Sequence, residues 1–92
     1  MKKKNEKFCC PCCGYYTLEE GNGNYEICPV CFWEDDAIQN RNADLEGGAN
    51  KVSLNIARAN YGKYGACEER FVNLVREPMQ EEYGYGENVE TI

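Results

Sequence analysis

The feature that most constrains this chain is a pair of cysteine knuckles, Cys10-Pro11-Cys12-Cys13-Gly14 and Cys28-Pro29-Val30-Cys31, each of the form C-P-x-C. Fourteen residues separate Cys13 from Cys28, just below the roughly 15–20 of the usual zinc-ribbon layout. Two residues between cysteines let a tight turn aim both sulfurs at one ion while amides of the turn donate to the thiolates. Proline presets φ for such a turn, and a glycine after the second cysteine tolerates φ > 0. Two knuckles brought together place four sulfurs at ~2.3 Å from a tetrahedral Zn²⁺.

The first knuckle contains two possible registers, because Cys9 with Cys12 is also a C-x2-C pair. Pairing Cys10 with Cys13 aligns Pro11 with Pro29 and puts Gly14 directly after the second ligand. The expected metal ligands are therefore Cys10, Cys13, Cys28 and Cys31, with one structural zinc ion ahead of iron. Four thiolates on one Zn²⁺ leave a site charge of −2 and a closed coordination sphere, without the open position that hydrolytic zinc needs. Cys9, Cys12 and Cys67 remain as secondary thiols. Cys67 reads as a small buried hydrophobe and Cys12 as filling the open position of the knuckle, in preference to a reading in which Cys9 or Cys12 is a reactive thiol activated beside the metal and the lysines.

Composition sets the limits around this motif. A chain of 92 residues is one small domain, and seven cysteines suggest that cross-links or metal supplement a limited core. With no histidine in the sequence, any Ser-His or Cys-His catalytic pair is excluded. A formal charge of −6 argues against a nucleic-acid partner, which requires clustered positive charge. No stretch approaches the ~18 consecutive apolar residues of a membrane span. The basic start, Met1 to Lys7, is followed at once by cysteines rather than by an apolar run, so no signal peptide is expected. A cytoplasmic location follows as an expectation, and there clustered cysteines more often hold metal than form disulfides.

Along the chain, residues 1–7 read as a disordered basic tail, residues 8–78 as a single zinc-binding domain, and residues 79–92 as a mobile acidic tail. Within the domain, 8–33 is the ribbon, 34–52 a loop and 53–77 helical. Residues 14–19 and 25–27 have strand-like content around the turn signal Gly21-Asn22-Gly23-Asn24, which predicts a hairpin between them. A short helical turn with Asp35 or Asp36 near its start can follow Trp33. The three acids from Glu34 to Asp36 read as a solvated turn or helix start rather than as a second cation site. Trp33 and Phe32 are expected to shield the metal and anchor the hairpin. Ser53 is a good N-cap, Leu54, Ala57, Tyr61 and Tyr64 share a helical face, and Gly65 fits the C-terminal cap. Residues 68–76 suit a second short helix or a strand, the helix being preferred. Tyr15, Tyr16 and Tyr25 read as core or protein contacts in preference to a base-stacking platform. The expected fold is a small α+β domain: a zinc-ribbon-like β-hairpin with two cysteine knuckles, packed against one or two C-terminal helices.

The runs at residues 10–18, 25–36 and 48–55, with Asn60-Tyr61-Gly62, Gly65-Ala66-Cys67 and Val75-Arg76-Glu77-Pro78, resemble the small bacterial cysteine-rich CPCC family. The resemblance covers roughly residues 8–78. It implies a metal-binding, cysteine-rich protein and makes Cys67 part of a family pattern; it implies no reaction.

These features point to a non-catalytic, zinc-stabilised module that binds a protein partner. One alternative is a redox protein, with a rubredoxin-like iron site or a thiol switch drawing on Cys9, Cys12 and Cys67. Another is an acidic binder of a basic protein, of immunity or regulatory type, motivated by the net charge and the Glu-rich C-terminus.

Overall fold

Each knuckle is the tip of its own hairpin. In the computed structural model, which describes residues 3–4 and 7–83, the first hairpin joins β2 (Lys7–Cys9) to β3 (Tyr16–Leu18) across residues 10–15. The strands pair antiparallel, Phe8 with Leu18 and Cys9 with Tyr16, and the register shifts between Phe8 and Cys9. A further two-residue strand, β1 (Lys3–Lys4), pairs antiparallel with β2 to give a sheet in the order β1-β2-β3. The second hairpin closes around residues 28–33. Ile27 bridges Glu34, Tyr25 N–H donates to Asp35 O at 2.9 Å, and Asp35 N–H donates to Glu26 O at 2.9 Å.

This corrects the expected hairpin between residues 14–19 and 25–27. The Gly-Asn-Gly-Asn segment links two hairpins instead of turning within one. The reason lies in the knuckle: a turn that aims two sulfurs inward also reverses the chain, so its flanks become natural strand partners. Within the linker, Asn22 and Tyr25 take positive φ, and Glu26 accepts from the N–H groups of Glu19 and Glu20 at 2.6 and 2.9 Å. Gly21 is required there, since φ is +63° and a Cβ would lie 2.6 Å from the Phe8 ring.

Helix α1 (Ala37–Arg41) begins where Asp36 accepts from the N–H groups of Ile38 and Gln39. Asp36 thus marks the helix start read from the sequence, but Asp35 and Asp36 are buried rather than solvated. Asp35 accepts from Gly23 N–H at 2.8 Å and from Asn40 Nδ2 at 2.7 Å. Asp36 also takes Ala49 N–H at 2.9 Å. Both therefore tie loops to the helix start.

Helix α2 (Leu54–Tyr64) runs between the two caps read from the sequence. Ser53 Oγ accepts Ile56 N–H at 3.2 Å, and Gly65 closes the helix at φ 86°. Its Leu54 and Ala57 enter the core. Beyond it the expected second helix shrinks to a single 3-10 turn over Glu69–Phe71. The apolar residues of 68–76 do not form one buried face: Val72 and Leu74 are exposed, while Phe71 packs inward.

Two boundaries also differ from the expectation. Lys3–Lys4, assigned by composition to a disordered tail, pair as β1. Residues 79–83, assigned to a mobile tail, include a 3-10 turn, Gln80–Glu82, whose Glu82 is buried. The rest of those two segments, residues 1, 2, 5, 6 and 84–92, lies outside the described residues.

Candidate metal centre

The two knuckles are built alike. Cys10 N–H donates to Tyr15 O at 2.8 Å and Gly14 N–H to Cys10 O at 2.9 Å. In the second, Cys28 N–H donates to Trp33 O at 3.0 Å and Phe32 N–H to Cys28 O at 2.8 Å. The residue after the second cysteine is left-handed in both, Gly14 at φ 84° and Phe32 at φ 73°. Glycine adopts that conformation freely. Phe32 is held in it by packing on Phe71, ring centroids 4.4 Å apart.

These turns converge the sulfurs of Cys10, Cys13, Cys28 and Cys31, all within 4.8 Å of one another. Cys10 Sγ lies 3.6 Å from Cys31 Sγ, and Cys13 Sγ lies 3.7 Å from Cys28 Sγ. A tetrahedron with metal–sulfur bonds of ~2.3 Å has edges of about 3.8 Å, so the cluster fits a four-thiolate site. Three of the four are fully buried, and Cys13 is half-buried.

Of the four thiols, Cys28 is the one whose ionisation its neighbours favour. Hydrogen bonding from Cys10, then from Cys13 and Cys31, holds its thiol far below the ordinary range, with a smaller contribution from Thr17. Cys31 is held well above that range, first by its hydrogen bond with Cys10. The Thr17 hydroxyl lies 3.0 Å from Cys28 Sγ, and Val30 N–H donates to it at 3.4 Å. Such donors stabilise a thiolate and orient it as a ligand.

The knuckles are clamped from the C-terminal half of the chain. Arg58 Nε donates to Pro11 O at 3.0 Å. Cys67 N–H donates to Cys31 O at 2.7 Å, and Arg76 N–H to Pro29 O at 3.1 Å. Neither Thr17 nor these clamps were identified from the sequence. All three acceptors of the clamps are backbone carbonyls, which carry no residue signal. Thr17 lies in a strand whose inward face the misplaced hairpin left undefined.

The secondary thiols sit around this cluster but outside it. Cys9 is half-buried and donates to Gly14 O at 3.5 Å; burial pushes its thiol up. Cys12 is buried in the core beside the ligands. Cys67 is fully buried, and its thiol is pushed up to about 12, chiefly by burial. Burial thus disfavours the thiolate form at both Cys9 and Cys67. Trp33 is fully buried, with Nε1 donating to Asn40 Oδ1 at 3.0 Å. Of the three tyrosines noted above, Tyr15 packs against Tyr61 and Tyr83, and Tyr25 is exposed.

The sequence model of a family described as cysteine-rich CPCC matches residues 8–82. A comparison with curated proteins finds no match.

Proposed function

This chain belongs to the cysteine-rich CPCC family, and from that premise we propose that it is a zinc-stabilised, non-catalytic protein-interaction module of the bacterial cytosol. Cys10, Cys13, Cys28 and Cys31 are the ligands of one structural Zn²⁺. The observation that carries the reading is the convergence of four thiols, three of them fully buried, within 4.8 Å of one another, two of the sulfur–sulfur separations being close to a tetrahedral edge. Zinc bound there would neutralise part of the thiolate charge and cross-link the two knuckles in a zinc-ribbon-like manner. Four protein ligands close the sphere, so the ion supplies stability rather than a site for substrate. The acidic net charge suits a basic protein partner.

Native mass spectrometry of the protein purified without chelator tests the metal. The expected result is one zinc per chain and a colourless solution. A red protein with thiolate-to-iron absorption would replace zinc by iron, and a folded, metal-free chain would overturn the metal reading altogether. Cys28→Ser is expected to lose the metal and the fold, whereas Cys9→Ser keeps both.

A further inference from the structure

A cleft of ≈ 500 Å³ opens beside the cysteine cluster, walled by the rings of Tyr15, Tyr61, Tyr64 and Tyr83, with Arg76 and Glu77 at its edge. Its size falls within the about 300–1,000 Å³ typical of ligand sites. The rings do not lie flat on one another. Tyr15 meets Tyr61 at 70° with centroids 6.4 Å apart, and Tyr83 at 59° with centroids 5.1 Å apart. Tyr15 therefore packs edge-on between Tyr61 and Tyr83, and the three rings make one continuous aromatic wall of the cleft.

The charges at the cleft are unequal. The Arg76 guanidinium is engaged by buried Glu82, with bonds of 2.9 and 2.7 Å to its two oxygens. The Glu77 carboxylate, in contrast, takes no hydrogen bond or ion pair among the described residues. Tyr64 carries the Lys63 ammonium over its ring, Nζ 5.2 Å from the centroid, so a bound cation has to share or displace that contact. Aromatic faces attract cations through the ring quadrupole, most strongly where water is partly excluded. The net charge of −6 adds long-range attraction of the same sign.

We propose that this tyrosine-walled cleft is a binding site for an organic cation, an alkylammonium or guanidinium head seated against the rings and paired with Glu77. The proposal rests on the folded chain but uses none of the four cysteines of the metal cluster, so metal content and cation binding are read separately. It gives the interaction module a chemical handle: the head can belong to a small quaternary amine or to a side chain of a basic partner. The cleft is fixed to the knuckles at two points. Tyr15 O accepts Cys10 N–H, and Arg76 N–H reaches Pro29 O.

The test is a titration of the full chain, followed by NMR of the tyrosine ring signals. The probes are choline, N-acetyl-arginine amide and 3,3-dimethylbutan-1-ol, the neutral isostere of choline. The cations are expected to saturate the tyrosine shifts, with the alcohol binding at least about fivefold more weakly. Glu77→Gln and Tyr64→Leu should each weaken the cations about three- to tenfold, with metal content and melting temperature unchanged. Tyr64→Phe, which keeps a ring, should bind like the unmodified chain. Tighter binding of choline assigns the site to a small quaternary amine; tighter binding of the arginine derivative assigns it to a partner's side chain. Equal binding of choline and its neutral isostere, or unchanged affinity in both Glu77→Gln and Tyr64→Leu, overturns the proposal.

Discussion

Phe32 occupies in the second knuckle the place that Gly14 holds in the first, and both are left-handed. A side chain in that conformation costs about 1–2 kcal/mol, which the Phe71 contact offsets. Two substitutions separate the contributions. Phe32→Gly removes both the strain and the ring contact, whereas Phe32→Ala removes the contact and keeps the strain. Chemical denaturation should therefore find the alanine variant less stable than the glycine variant by about 1 kcal/mol. Thr17 offers a second test at this scale. Thr17→Val preserves shape but deletes the hydroxyl 3.0 Å from Cys28 Sγ. A metal-competition titration is expected to show affinity reduced about 10-fold or more, with the fold retained.

At the scale of elements, α1 has five residues, too few to be stable alone. Its position is set by Gln39, which is fully buried. Gln39 Nε2 contacts the carbonyls of Leu45, Asn50 and Val52 at 3.0–3.2 Å, and Oε1 accepts from Asn50 N–H and Asn50 Nδ2 at 2.9 Å. Asn50 in turn bonds both backbone groups of Glu34, beside the second knuckle. Gln39→Leu leaves these partners buried and unpaired. The expected loss is about 1–3 kcal/mol, measurable as a lower denaturation midpoint with an unchanged slope. Helix α2 relies on its ends more than on such a hub, and Ser53→Ala should cost about 1 kcal/mol.

At the scale of the whole molecule, cysteines make up close to half of the core. Among the described residues, five of the eleven buried hydrophobic ones are Cys10, Cys12, Cys28, Cys31 and Cys67, and the large side chains among the rest are Trp33, Leu18, Leu54 and Val30. A core of that size leaves folding dependent on whatever joins the knuckles, as in small metal domains generally. Chelation is therefore expected to unfold the chain, with circular dichroism lost in step with metal release. Acid should act through the carboxylates as well. Hydrogen bonds from Ala49 N–H, and less from those of Gln39 and Ile38, hold Asp36 below its usual value. Arg76 does the same to Glu82. Their contribution is fully present above the unfolded carboxylate range near pH 4 and is lost as pH falls through the lower folded values. Asp36→Asn should flatten that acid limb of a stability–pH curve.

The sequence by itself determined the local chemistry. The C-P-x-C spacing marked Cys10, Cys13, Cys28 and Cys31, and Ser53 and Gly65 marked the ends of α2, because knuckles and caps are settled within a few residues. It did not determine which strands pair, since each knuckle closes its own hairpin and that choice depends on hydrogen bonds along the flanks. Nor did it determine the fate of its polar residues. Asp35, Asp36, Gln39 and Glu82 look like surface groups in one dimension but are buried with partners distant in sequence or on the backbone. Only the tertiary structure decided them, because a polar side chain enters a core only where folding supplies the hydrogen bonds that water provided before.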